Sequence, residues 1–181
     1  MSARDGVLDA FEQILIADGA GSATLDAVAA GADVSKGGLL YHFGSKKALE
    51  EGLVERLRER GAADVETMRE SPDGPSAYYV RSSVYEGSDF DRTLVAASRL
   101  VQTSDASVRD TFEKIRRDWL ALIREEVGDP ARAEAILLIG DGLYYNALLT
   151  GAGGPTGDAE GADMEGLLQV VAELRGTKAR G

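Results

Sequence analysis

Apolar residues recur at helical spacing along this chain, and no stretch alternates at the two-residue period of a strand. The clearest case is 105–127. There Val108, Phe112, Ile115, Trp119, Leu122, Ile123 and Val127 form one stripe with a period of about 3.6 residues. No Val/Ile/Thr-rich segment competes with it, and no fixed repeat length is visible. Pro72, Pro75, Pro130 and Pro155 all avoid the interiors of periodic segments, where proline would break a helix. The chain is therefore expected to be all-α.

Local punctuation divides it further. Val7, Leu8, Phe11, Ile14 and Leu15 give one face to a first helix over 4–18, with Gly19 as its stop. Thr24 is the expected cap of a short second helix carrying Leu25, Val28 and Ala29 and ending near Ala32. Ser35 caps a third helix with Leu39, Leu40 and Phe43. Ser45 caps a fourth with Leu49, Leu53, Val54 and Leu57. Further helices are expected over 76–85, 89–102, 105–127, from Pro130 to Leu149, and 163–175. The helix after Pro130 is apolar nearly all round, so both of its faces need cover. Between the last two helices, 151–157 reads as a glycine-rich loop, and 176–181 reads as a frayed tail.

Composition removes several function classes. The 181 residues include no Cys and one His. That excludes a disulfide framework, thiolate metal sites, a Cys nucleophile and paired-His metal sites. No metal and no cofactor are expected. Neither acidic pair makes a catalytic site. Glu125 and Glu126 are consecutive and point about 100° apart on a helix. Asp89 and Asp91 sit at a helix start, where carboxylates suit the dipole. No nucleophile–His–acid set surrounds His42, so the chain does not read as an enzyme. The start lacks an uninterrupted apolar signal region. The most apolar run, Ala135 to Leu149, is short and contains Asp141. A cytoplasmic protein without membrane contact is expected.

The net charge of −11 at first argues against a nucleic-acid partner, since phosphates need Lys and Arg. The window 24–47 reverses the sign. It holds three Lys against Asp26 and Asp33, a net of +1, which leaves −12 on the rest. Two short helices joined by a brief turn, with a helix before and after, follow the helix-turn-helix plan. The third helix carries Gly37-Gly38, which costs about 2 kcal/mol of helix propensity relative to alanine. Alone, such a pair reads more readily as a loop; inside a helix it suggests close approach to another backbone.

The run Thr24-Leu-Asp-Ala-Val-Ala29 followed by Val34-Ser-Lys-Gly-Gly-Leu-Leu-Tyr-His-Phe-Gly-Ser-Lys-Lys-Ala-Leu49 resembles the DNA-binding domain of the tetracycline-repressor (TetR) family. The resemblance covers 4–62. It implies a three-helix helix-turn-helix head over 4–62, with the fourth helix as connector. A helical ligand-binding and dimerisation body follows over 63–176. By the same resemblance, Thr24, Tyr41, His42 and Lys46 would meet phosphates. Ser35, Lys36, Gly37 and Gly38 would open the recognition helix in the major groove, with Lys36 at a phosphate or guanine edge and Leu40 near a thymine methyl. Leu39 and Phe43 match buried positions. Three residues depart from the family pattern: Asp33 replaces the usual turn Gly, Gly38 a Thr or Ser, and Leu40 a frequent aromatic. Asp tolerates positive φ, so the turn can form.

The function so implied is a ligand-responsive transcriptional regulator, a repressor released from a double-stranded DNA operator by a small molecule. The alternative is a helical interaction module that has lost sequence-specific DNA binding. A homodimer follows from the need for two heads on a near-palindromic site, and from the spare apolar faces of the last two helices. Candidate ligand contacts are Phe112, Trp119, Tyr144 and Tyr145, with Arg99, Gln102 and Asn146 as polar partners. Aromatics at helical spacing also serve as plain core, and that reading stands beside this one.

Overall fold

A computed structural model describes residues 2–102, 106–150 and 164–176, with the backbone alone for 148–150. The glycine-rich segment 151–157, the expected helix starts Asp105 and Asp163, and the tail beyond Gly176 lie outside the described residues. Among those described, the fold is all-α, with nine helices and no strand. They are α1 (Ala3–Asp18), α2 (Leu25–Gly31), α3 (Lys36–His42), α4 (Lys46–Arg69), α5 (Pro75–Ser82), α6 (Asp89–Ser98), α7 (Ala106–Val127), α8 (Pro130–Thr150) and α9 (Met164–Arg175).

The starts follow local chemistry. The Ser2 hydroxyl accepts the Asp5 N–H at 3.1 Å while the Asp5 carboxylate accepts the Ser2 N–H, a reciprocal cap. Ser45 accepts the Ala48 N–H at 3.1 Å at the head of α4. Asp129 accepts from Ala131 and Arg132 at 2.9 and 3.0 Å around Pro130. These bonds hold the Asp129 carboxyl below the usual carboxylate range. Helix α5 begins differently. Its Gly74 offers no side-chain cap, and Glu126 from α7 instead accepts the Ser76 N–H at 2.8 Å. Glu126 also pairs with Arg175, so this carboxylate is a structural cap.

Two helices end earlier than their pattern suggests. α5 stops at Ser82, before Tyr85. α6 stops at Ser98, before Gln102. After Ser98 the N–H groups of Arg99, Leu100 and Val101 bond carbonyls three residues back, at 3.2, 2.9 and 3.3 Å. The chain tightens into turns there. Arg99 and Gln102 thus lie beyond the helix end.

Two compact units result. The first comprises residues up to Gly61 together with Asp89–Glu113; the second comprises Ala62–Ser88 and residues from Lys114 onward. The division inside α4 falls beside residue 62. Segment 89–113, which the sequence would place in the body, clusters with the first three helices.

In the first unit α1 packs on α2, α3 and α6, burying Val7, Leu8, Phe11 and Leu15. Leu39, Phe43, Leu49, Leu53 and Leu57 are also buried. Gly52 lets α4 come close: a Cβ there would lie 2.7 Å from the Phe43 ring. An ionic junction sits among α1, α4 and α6. Glu12, 3% exposed, faces Arg56 and Arg60 at 3.4 Å each and accepts from the Thr93 hydroxyl at 2.6 Å. Arg56 also donates to Asp9 at 2.6 Å, and Arg60 donates to the Asp89 carbonyl at 2.7 Å.

In the second unit α5 packs on α8 and α9, and α8 on α9. Its core includes Met68, Tyr79, Val80, Ile123, Ile136, Leu137 and Val171, with Trp119 packed against it.

Candidate nucleic-acid interface

Helices α2 and α3 have seven residues each. Between them Asp33 takes φ 53°, the left-handed conformation that the turn demands and that Asp tolerates. The N–H groups of Asp33 and Val34 bond the carbonyls of Ala30 and Ala29 at 3.2 and 3.0 Å and close the turn. Thr24 caps α2 by accepting the Ala27 N–H at 3.2 Å. Ser35 caps α3 by accepting the Gly38 N–H at 3.0 Å. A hydroxyl that accepts still has its proton to donate. Both side chains are exposed, so both can still donate to an outside oxygen.

The third helix buries one residue, Leu39. Tyr41 is 85% exposed and Leu40 39%. Lys36 and His42 are exposed, and the His42 ring meets Tyr41 edge-on at 5.2 Å. The glycine pair lies on this outer side. A Cβ at Gly37 would meet only Ser35 Oγ, at 3.9 Å; at Gly38 the same oxygen would be 3.3 Å away. Packing inside the chain therefore does not require glycine at 37.

The cations of this face are already held. Lys36 Nζ lies 2.9 Å from one Asp26 oxygen and 3.1 Å from the other. Lys46 donates to the Ala20 carbonyl at 2.8 Å, which ties the α1–α2 connection to the start of α4. An ammonium has three donors, so that bond leaves Lys46 capacity for a phosphate. The Arg4 guanidinium lies over the Phe43 ring, 5.1 Å from its centre, so it belongs to the first turn of α1.

Comparison with known proteins bears on the whole chain. The family profile "Bacterial regulatory proteins, tetR family" matches residues 7–53, and "Tetracyclin repressor-like, C-terminal domain" matches 73–172. The chain belongs to the TetR family. It is therefore a member of a family of DNA-binding transcription regulators with a helix-turn-helix head. Among solved structures it is similar to the multidrug binding protein EbrR complexed with malachite green. There the TM-score is 0.66 at 21% identity, covering 94% of this chain and 96% of that one. A TetR-family member from Streptomyces coelicolor A3 gives 0.66 at 22% identity, covering 96% and 98%. NalD, the secondary repressor of the MexAB-OprM multidrug efflux pump in Pseudomonas aeruginosa, gives 0.62 at 16%, covering 94% of each. These likenesses concern the fold. A comparison with curated proteins gives no significant match.

In this TetR-family chain the expected ligand contacts fall in both units. Arg99, Gln102 and Phe112 belong to the first; the two polar residues are exposed and Phe112 is half-buried. Trp119, Tyr144, Tyr145 and Asn146 belong to the second. Tyr144 meets Tyr85 with ring centres 6.4 Å apart, and Tyr145 is 62% exposed. An open groove of the second unit, lined by Arg132, Gln169, Ala172, Glu173 and Gly176, contains none of the seven.

Trp119 is instead part of a polar network built from residues that the sequence did not single out as contacts. Its indole N–H donates to Asp64 at 2.7 Å, and Tyr78 donates to the same carboxylate at 2.8 Å. Tyr79, its ring 5.3 Å from Trp119, donates to Asp141 at 2.7 Å. Arg116 donates to Asp141 and to Glu134, at 3.2 Å each. Burial, then the Asp141 carboxylate, raises the Tyr79 pKa; burial, then the bond to Asp64, raises that of Tyr78. The one sequence signal was Asp141, an acid inside the apolar run 135–149.

Among the described residues, no three His, Cys, Asp or Glu side chains gather as a metal site. No helix there is long and apolar enough to cross a membrane.

Proposed function

We propose that this TetR-family member is a ligand-responsive repressor that leaves its operator when a small molecule binds the body. The observation that carries the reading is the outer face of α3: one buried residue, an exposed Tyr41 and Gly37, where an added Cβ would meet only Ser35 Oγ at 3.9 Å. In this reading Thr24, Ser35, Tyr41, His42 and Lys46 meet phosphates. Lys36 and Leu40 face base edges, and Gly37 and Gly38 let the helix seat deeply. Residues 4–62 act as the head and 63–176 as the ligand-binding and dimerisation body.

Exposed apolar side chains support a homodimer. Leu138 and Tyr145, seven residues apart on α8, are 57% and 62% exposed, and Val170 on α9 is 45% exposed. A second copy covers them, and two heads on a two-fold axis read a near-palindromic site. The drug-binding EbrR and the repressor NalD support an effector that is a moderately hydrophobic small molecule. Of the expected contacts, Trp119 is its contact group in the second unit, beside the Asp64 carboxylate and Tyr78.

The test uses a duplex selected by the protein from a random-sequence pool. Lys36→Ala and Tyr41→Ala should each weaken binding about tenfold, the scale of one lost base or phosphate contact, with unchanged helical circular dichroism. Wild-type affinity should fall steeply with salt. Unaltered binding in both variants removes α3 from the interface. A flat salt dependence favours the interaction-module reading.

A further inference from the structure

Lys36 opens the recognition helix, yet its ammonium is held by both carboxylate oxygens of Asp26, at 2.9 and 3.1 Å. Asp26 stands in the first turn of α2, ten residues earlier. The pair is exposed, at 55% for the Lys36 side chain and 72% for Asp26, so solvent screens it and it opens at modest cost. The other cations of the window are engaged too: Lys46 at the Ala20 carbonyl and Lys47 beside Glu51 at 3.9 Å. Of the three lysines, only Lys36 is paired with a carboxylate inside the window 24–47.

We infer that Asp26 is a specificity-determining residue: it tethers and neutralises Lys36, and so suppresses binding to DNA of arbitrary sequence. The inference rests on the reading above, in which Lys36 contacts DNA. A lone phosphate offers Lys36 one anionic partner in exchange for another and returns little. A base edge that accepts in two places returns more than a screened ion pair, so Lys36 leaves Asp26 where the sequence is right. Discrimination arises from what Lys36 must give up, before any base is read.

The experiment measures binding of the full chain to a scrambled duplex and to the duplex selected from a random pool, at roughly 50 and 200 mM salt. Asp26→Asn should raise affinity for the scrambled duplex several-fold. It should also steepen the salt dependence by about one phosphate contact, an extra change of about 3.5-fold over that range. The ratio of selected to scrambled affinity should fall, and Asp26→Glu should restore it. The decisive arm repeats Asp26→Asn in the Lys36→Ala background, where the gain should vanish. An equal gain in both backgrounds means that Asp26 acts only by repelling phosphates, and it overturns the tether. No gain in either background also overturns it. Thermal melts followed by circular dichroism identify any variant whose α2 has lost structure. If Lys36→Ala alone leaves both affinities unchanged, the reading in which Lys36 contacts DNA has failed. If it weakens them while Asp26→Asn is neutral, only the inference about Asp26 has failed.

Discussion

In the first unit the buried Glu12 carboxylate faces two guanidinium groups, Arg56 and Arg60, and a fully buried threonine hydroxyl, Thr93. In the second unit the Asp64 carboxylate accepts from an indole N–H and a tyrosine O–H, and Asp141 accepts from Tyr79 as well as Arg116. The first cluster is charge against charge, drawn from three helices, with the Arg56 side chain 9% exposed. Removing one member leaves the opposite charge short of compensation in a poorly solvated place. The second cluster leans on neutral donors, half-buried at Tyr78 and Trp119 and buried at Tyr79. Each such bond is worth about 1 kcal/mol net, and an incoming polar group can replace it. One cluster is suited to fix helices, the other to exchange partners.

The contrast is broken most directly at Glu12. Glu12→Ala should lower stability by about 3 kcal/mol, the lower end for a broken buried pair because Arg56 retains Asp9. Urea unfolding at fixed protein concentration reads this, and a loss below about 1 kcal/mol would place the junction with ordinary surface pairs. Asp64→Ala should cost about 2 kcal/mol, since it deprives the Trp119 N–H and the Tyr78 O–H of their acceptor. Trp119 is the chain's one tryptophan, so its emission reports that site alone. An unshifted spectrum in Asp64→Ala would contradict the bond.

Tyr79→Phe should cost less, about 1 kcal/mol at neutral pH, the net worth of one hydrogen bond. Its pH dependence sharpens the comparison. Burial and Asp141 raise the Tyr79 pKa above its ordinary 10.0, so the folded chain keeps a proton that the unfolded chain releases. Above about pH 10 the unfolded state then binds fewer protons, and stability falls as pH rises. Phenylalanine has no proton to keep. The gap between wild type and variant should therefore narrow above pH 10 in urea titrations. A constant gap would mean that the phenol is not held neutral by its surroundings.

Most of the helical frame was legible because its signals are local. Thr24, Ser35 and Ser45 mark starts through bonds reaching three residues, Pro130 marks one through its fixed φ, and the 3.6-residue stripe locates the faces. Helix α3 was legible for the same reason, as a contiguous run. What stayed hidden depends on distant partners. Glu12, Arg56 and Thr93 look like solvent-facing positions until three helices bring opposite charges together. The same holds for Tyr78 and Tyr79, whose partners Asp64 and Asp141 lie on α4 and α8. The early end of α6 is a tightening of turns that periodicity does not register.

The smallest expected stability effect has the opposite sign, and it separates the surface of α3 from both buried clusters. Gly37 sits in a helix, with no strained backbone and nothing but Ser35 Oγ near an added Cβ, at 3.9 Å. Gly37→Ala should therefore raise stability by about 0.5 kcal/mol, because alanine loses less backbone entropy on forming a helix. Affinity for the selected duplex should nevertheless fall about tenfold, as the methyl group holds the helix away from the groove and weakens contacts of the Lys36 kind. A substitution that stabilises the fold while weakening DNA binding cannot act through unfolding. If Gly37→Ala binds as wild type does, the glycine pair is not there to admit DNA. The propensity that it sacrifices would then have to serve some other contact on that face.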